Sequence, residues 1–208
     1  MPRMSENRPT CWQCLRPVSH CHCQLIAPFL AHCNTVILQH PREKKRFYST
    51  AKLMTQWIQN CTLVRGIAFD KPAILDLFPN TTLAVLFPRG PAVPANPIRL
   101  SEATTVIVLD GTWSEAKKIY RENTWLAALP HVSLSPFLRS RYRIRKQPRP
   151  ECLSTIEALA YMFLENSASP HQKTGGYLNL LEGFDRMVDT HLQSIPADKR
   201  SYYDARSE

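Results

Sequence analysis

An apolar run, Thr105-Val106-Ile107-Val108-Leu109, stops at Asp110-Gly111-Thr112-Trp113, and an amphipathic stretch, Ser114-Glu115-Ala116-Lys117-Lys118-Ile119-Tyr120, follows at once. A strand that feeds directly into a helix is the unit from which open α/β sheets are built. Thr112 followed three residues later by Glu115 fits a capping box, so the helix starts at the turn itself. The same alternation recurs along the chain. Asn34 to Gln39, Leu63 to Ala68 and Leu83 to Phe87 read as further strands, and Ala51, Met54, Trp57, Ile58 and Cys61 fall at helical spacing. Helices are predicted at about 113–124, 155–165 and 173–192. The last carries Tyr177, Leu180, Leu181, Phe184, Met187, Val188 and His191 on one face. The predicted fold is therefore α/β, a mostly parallel sheet with flanking helices. The division expected is an N-terminal segment 1–32, an α/β domain 33–193 and a polar tail 194–208.

Open α/β sheets bind ligands outside the carboxyl ends of their strands, which is where Asp110 to Trp113 fall. A carboxylate, a bend, a hydroxyl and a large aromatic supply an acceptor, a turn, a donor and a plane, and the helix-start amides suit an anionic group. Asp110 is either a base or a residue that orients the ligand; Trp113 either stacks on a ring, seals the pocket or packs in the core. Leu153-Ser154-Thr155-Ile156-Glu157 repeats the pattern, with Ser154 and Glu157 as a second capping box. Two helix N-termini facing one carboxylate-bearing ligand follow from the pair. Pro88, Pro91, Pro94 and Pro97 recur every third residue and predict a stiff extended loop after a strand.

The chain has 208 residues, 44% hydrophobic and 21% charged, which suits one sizeable globular core with an appendage. No apolar stretch approaches the length of a membrane span, and residues 1–23 lack a signal peptide's apolar core, so no membrane partner is expected and the location implied is cytoplasmic. The seven cysteines then read as metal ligands or free thiols before disulfides. Cys11-x-x-Cys14 and Cys21-x-Cys23 put four thiols within thirteen residues, enough to close a tetrahedral structural zinc site, with His20 and His22 as possible substitutes for a cysteine. Cys33, Cys61 and Cys152 lie in apolar contexts and read as core residues.

The formal net charge of +9 suits a polyanionic partner, nucleic acid first. Residues 139–149 hold six basic groups and no acid. Arg139, Arg141, Arg143 and Arg145 alternate, so an extended backbone would show all four on one face, with Lys146 following. Guanidiniums in a row offer bidentate phosphate contacts. A second cluster, Arg42, Lys44, Lys45 and Arg46, follows His40-Pro41 directly after the first strand.

In order along the chain, these segments resemble the DTW-domain family of tRNA-uridine aminocarboxypropyltransferases. The resemblance rests on Cys11-x-x-Cys14-x6-Cys21-x-Cys23, then His40-Pro41-x-Glu43 with Arg46, Ser49 and Thr50, and Leu86-Phe87-Pro88. It continues through Asp110-x-Thr112-Trp113, Arg145-Lys146-x-Pro148 and Leu153-Ser154-Thr155-x-Glu157, so that it spans about residues 11–165. It implies transfer of the 3-amino-3-carboxypropyl group of S-adenosylmethionine to the imide nitrogen of a tRNA uridine, with release of methylthioadenosine. It also implies a fold akin to the knotted SPOUT-type RNA methyltransferases, and tRNA rather than DNA as partner. Bacterial-type members act on a uridine of the variable loop, and relatives on the D-loop. On this view Leu86, Pro88 and Leu109 enclose the adenosine, Thr112, Ser154 and Thr155 with the loop amides fix the amino-acid end, and Trp113, Leu153 and Glu157 complete the cofactor-binding set. Asp110 serves the imide, and Arg42, Arg46, Arg139, Arg141, Arg143, Arg145 and Lys146 hold RNA. Two other classes fit parts of the pattern. A SPOUT-type methyltransferase would use the same fold and cofactor, and a non-enzymatic zinc-knuckle RNA-binding protein would explain only charge and cysteines. A monomer is the favoured state.

Overall fold

The computed structural model describes residues 9–14, 16–45, 50–88, 100–144, 147–149 and 151–196. Four strands form one sheet: β1 Asn34–Gln39, β2 Cys61–Arg65, β3 Thr82–Leu86 and β4 Thr104–Asp110. Their spatial order is β2-β1-β4-β3 and every pairing is parallel, as the alternation with helices requires. β1 and β4 occupy the middle and are buried on both faces, which is why they read as unbroken apolar runs.

Among the described residues the α-helical segments are α1 Ala51–Trp57, α2 Lys71–Leu75, α3 Trp113–Glu122, α4 Thr155–Asn166, α5 Pro170–Gln172 and α6 Leu178–Ser194, with short 3-10 turns at Val18–His20, Pro41–Lys45 and Thr124–Ala128. A π-helical turn, Lys173–Tyr177, joins α5 to α6. Alternate strand residues serve the two faces. Ile37, Ala84, Leu86, Val106 and Val108 pack with Met54, Trp57, Ile156, Phe163, Phe184 and Val188 from α1, α4 and α6. Val36, Leu38, Val85, Ile107 and Leu109 pack with Ile74 and Ile119 from α2 and α3. Three layers result. The face read on the last helix is buried from Tyr177 through Val188, each large side chain contributing about 1.5–3 kcal/mol before chain entropy. His191 at its end is half-buried.

The structure departs from expectation at α1, β2 and α2. α1 ends at Trp57, and Cys61 opens β2 instead of closing the helical face. The cause is a long-range pairing: Phe29 bridges Ile58 in parallel and pulls that stretch into extended conformation. β2 also stops at Arg65, before the predicted Ala68, where the Gly66 amide donates to the Gln39 carbonyl at 3.1 Å. The short α2, capped by Asp70, has too few residues to show a period.

The N-terminal segment leans on this body. Trp57 Nε1 donates to the Cys23 carbonyl at 3.2 Å, and Ile26 seats against Gly183 of α6, where a β-carbon would lie 2.6 Å from Ile26 Cδ1. No helix among the described residues is long and apolar enough to cross a membrane.

Candidate active site

The carboxyl ends of β4 and β3 open into a cavity of about 900 Å³. The sheet register sets the polar row behind Asp110, the member of it that lines the cavity. Gln39 lies opposite Asp110 on one side and Arg65 on the other, so three side chains form one row across β2, β1 and β4. Arg65 Nε donates to Gln39 Oε1 at 2.8 Å, and Gln39 Nε2 donates to Asp110 Oδ2 at 2.9 Å. From the opposite side Thr155 Oγ1, on the first turn of α4, donates to Asp110 Oδ1 at 2.7 Å. Asp110 is only 6% exposed, and each of its oxygens accepts from a neighbouring side chain.

Both helix starts at this cavity are capping boxes. At α3 the Glu115 amide donates to Thr112 Oγ1 at 3.2 Å and the Thr112 amide to Glu115 Oε2 at 2.8 Å. At α4 the Glu157 amide and Ser154 Oγ are 3.4 Å apart, and the Ser154 amide donates to Glu157 Oε2 at 2.8 Å. Each box consumes the cap amide and the third helical amide, leaving those of Trp113 and Ser114, and of Thr155 and Ile156, at the positive ends of two helices. Trp113 and Thr155 themselves line the cavity. Gly111 makes the close turn possible, since a β-carbon there would lie 2.9 Å from Glu115 Cβ. His40 sits behind this turn, its Nδ1 3.7 Å from Glu115 Oε1 and accepting the Arg42 amide at 3.3 Å.

Of the residues singled out by sequence, Leu86, Pro88, Leu109, Asp110, Thr112, Trp113, Arg139, Leu153, Ser154 and Thr155 come together as cavity lining. Trp113 is half-buried, lines the cavity with its ring 6.3 Å from that of Phe87, and is not among the buried core residues. Glu157 stands behind the lining. It is fully buried and accepts from the Ser154 amide, from Ser154 Oγ at 2.6 Å, from Ser140 Oγ at 2.9 Å and from the Arg141 amide.

The arginine segment is not a strand in its described part. Glu157 captures Ser140 and Arg141, the Arg143 amide turns back to the Arg141 carbonyl at 3.0 Å, and Tyr142 points into the core with its ring 5.1 Å from that of Phe184. Arg141 pairs with Asp185 at 2.8 Å, and Arg143 pairs with Asp189, both on α6. Burial raises the Asp185 carboxyl and Arg141 pulls it back. Arg139 instead faces the cavity. Arg42 and Lys44 are exposed beyond β1. Arg46, Ser49, Arg145, Lys146, Pro91, Pro94 and Pro97 lie outside the described residues.

Several lining residues were not assigned from sequence: Glu43 and Thr50, both buried, and Phe87, Phe137, Leu138 and Tyr142. Glu43 and Thr50 stand inside the His40-Pro41 motif, which was the available signal. Gln39 and Arg65 gave none, because their role is set by strand register.

At the N-terminus the sulfurs of Cys11, Cys14, Cys21 and Cys23 all lie within 4.8 Å of one another, a set that could hold a metal ion. Cys11 and Cys23 are 3.9 Å apart, as are Cys14 and Cys21. A zinc with bonds of about 2.3 Å to four thiolates needs sulfurs about 3.8 Å apart, so the spacing fits. His20 and His22 are not in the set; burial, then Arg16, lowers His22 to about 4. The Cys14 amide does most to lower the Cys11 thiol, to about 6, while burial and neighbouring thiols raise Cys23. A central cation is what would let all four ionise together.

A DTW-domain family model matches residues 8–192. A mouse (Mus musculus) protein named tRNA-uridine aminocarboxypropyltransferase 2 is 31% identical over 175 residues, covering 78% of this chain and 59% of the relative. The Drosophila melanogaster protein of that name is 36% identical over 167 residues, covering 74% and 65%. An Arabidopsis thaliana tRNA-uridine aminocarboxypropyltransferase A is 27% identical over 194 residues, covering 74% and 71%. The chain thus spans less than two thirds of the length of the mouse and fly relatives. No solved structure matches the chain.

Proposed function

The chain belongs to the DTW-domain family, and from that membership and the cavity's geometry we propose that it is a tRNA-uridine aminocarboxypropyltransferase using S-adenosylmethionine as donor. The observation that carries this reading is the convergence of Asp110 and two capped helix starts on one cavity. A donor of this kind carries a carboxylate, suited to the amides at the starts of α3 and α4, and an adenosine, suited to Leu86, Pro88, Leu109 and Leu153. The uridine imide nitrogen attacks the methionine carbon next to sulfur. The carbon–sulfur bond breaks, its electron pair stays on sulfur, and methylthioadenosine leaves. Asp110, held by Gln39 and Thr155, takes the imide proton. Choice of this carbon over the methyl group is a matter of how the donor is oriented.

The same reading includes kinship with the knotted SPOUT-type methyltransferases, a variable-loop uridine as target, tRNA and not DNA as partner, a cytoplasmic monomer, and an N-terminal segment 1–32, catalytic domain 33–193 and tail 194–208. The all-parallel sheet with its cavity at the carboxyl ends supports the fold kinship. The test is isotopic. Label in the donor's carboxypropyl carbons should pass to tRNA, whereas methyl label should stay in the small-molecule by-product. The reverse distribution would identify a methyltransferase, and binding of tRNA without transfer of either label a non-enzymatic protein.

The cysteine set is assigned a structural zinc. Purified protein should contain one equivalent, and Cys14→Ser should lower thermal stability and free the remaining thiols for titration. Metal-free protein of unchanged stability would contradict this.

Arg42, Arg46, Arg139, Arg141, Arg143, Arg145 and Lys146 are assigned to tRNA backbone. Arg141→Ala with Arg143→Ala should weaken tRNA binding and flatten its log–log salt dependence by about 0.7–0.9 per lost phosphate contact. Because Asp185 and Asp189 already share these guanidiniums, Arg139→Ala should cost as much by itself. Unchanged salt dependence in both variants would show a solvated surface.

A further inference from the structure

At the cavity mouth stands Phe137, 88% exposed yet part of the lining. A single exposed aromatic on a protein surface needs no explanation. This one is displayed by construction. The Leu138 amide returns to the Ser135 carbonyl at 3.4 Å, closing a turn with Pro136 second and Phe137 third. Proline there fixes the backbone and leaves the third side chain at the tip. The turn is anchored at its base, because the Ser135 amide donates to both oxygens of Glu165 on α4, at 3.2 and 3.3 Å. Arg139, two residues on, is exposed and lines the same cavity, so a flat apolar face and a guanidinium stand together at the entrance.

That pairing matches an unstacked nucleotide, whose base offers a π-face and whose phosphate offers an anion. A uridine imide buried in the stack of a folded RNA is out of reach, so an enzyme acting on it must take the base out and hold it. We infer that Phe137 is the stacking platform for the extruded pyrimidine, with Arg139 on its phosphate. This rests on the proposed function for the identity of the base. The adenosine of the donor is the competing occupant. It is better served by the deeper wall of Leu86, Leu109 and Leu153, all far less exposed than Phe137.

The test uses the full chain with Phe137→Ala and Phe137→Trp. Two single-stranded probes are compared, an oligouridylate and an abasic phosphodiester of equal length, with S-adenosylmethionine binding and thermal stability measured alongside. The wild type should prefer the base-bearing probe. Phe137→Ala should bind it about tenfold or more weakly, keep its affinity for the abasic probe and for S-adenosylmethionine, and melt unchanged; Phe137→Trp should restore the preference. Equal oligouridylate affinity in wild type and Phe137→Ala overturns the inference, as does a parallel loss of S-adenosylmethionine binding. Labelled transfer to tRNA by the wild type reports on the proposed reaction independently, so failure of one reading is distinguishable from failure of the other.

Discussion

Asp110→Asn should lower turnover by about 10²–10⁴-fold, the usual worth of a positioned proton acceptor, while affinities for tRNA and S-adenosylmethionine stay within a few-fold. The substitution is well suited to the site. Gln39 cannot reverse its amide, because its Oε1 already accepts from Arg65 Nε. The new asparagine must therefore turn its oxygen to Gln39 and its NH₂ to Thr155, whose hydroxyl can rotate to accept. The hydrogen bonds to Gln39 and Thr155 survive at a cost of about 1 kcal/mol or less, while the carboxylate's charge is lost. Single-turnover rates with separate binding measurements decide the role. A rate and a donor affinity that fall in parallel would make Asp110 an orienting residue, and a rate within a few-fold of wild type would remove it from the chemistry.

Glu157→Ala should be the most destabilising single change at the site, on the order of 3–5 kcal/mol, or about 10 °C in melting temperature. The carboxylate is fully buried and serves the α4 cap and the Ser140–Arg141 backbone at once. Truncation leaves four donors, on Ser140, Arg141 and Ser154, without their acceptor and opens a void in a fully buried position. Glu157→Gln should be intermediate, because Oε1 takes the Arg141 amide and Oε2 the Ser154 amide, and a carboxamide can face only one of them with oxygen. Both variants should also weaken tRNA binding, since Glu157 fixes the segment that carries Arg139 and Arg141. Calorimetry beside tRNA binding checks this; a Glu157→Ala protein as stable as wild type would show that Ser140 and Arg141 are held by other means.

The parts of this arrangement that could be read in the sequence are the local ones. Thr112 with Glu115, and Ser154 with Glu157, are three-residue spacings whose hydrogen bonds form within one helical turn, and both boxes are present. The central strands are legible because burial on both faces makes them continuously apolar, and the cysteine pairs because metal geometry restricts their spacing. What joins distant segments was not legible. Gln39 reaches Asp110 across 71 residues through strand register, and Arg65 reaches Gln39 across 26. The alternating arginines from Arg139 suggest a strand, but among the described residues the buried Glu157 carboxylate of α4 holds Ser140 and Arg141, and the chain turns at Arg143 and Ile144. Tyr142 lies in the core and Arg141 and Arg143 face α6, whereas Arg139 faces the cavity, so the arginines do not share one face.

Mass spectrometry of nucleosides from an unmodified tRNA transcript, incubated with the protein and S-adenosylmethionine, tests the central claim most directly. The expected result is one uridine carrying a 3-amino-3-carboxypropyl group on its imide nitrogen, formed in step with an equal amount of methylthioadenosine. A methylated uridine accompanied by S-adenosylhomocysteine, or a transcript returned unchanged, would contradict it.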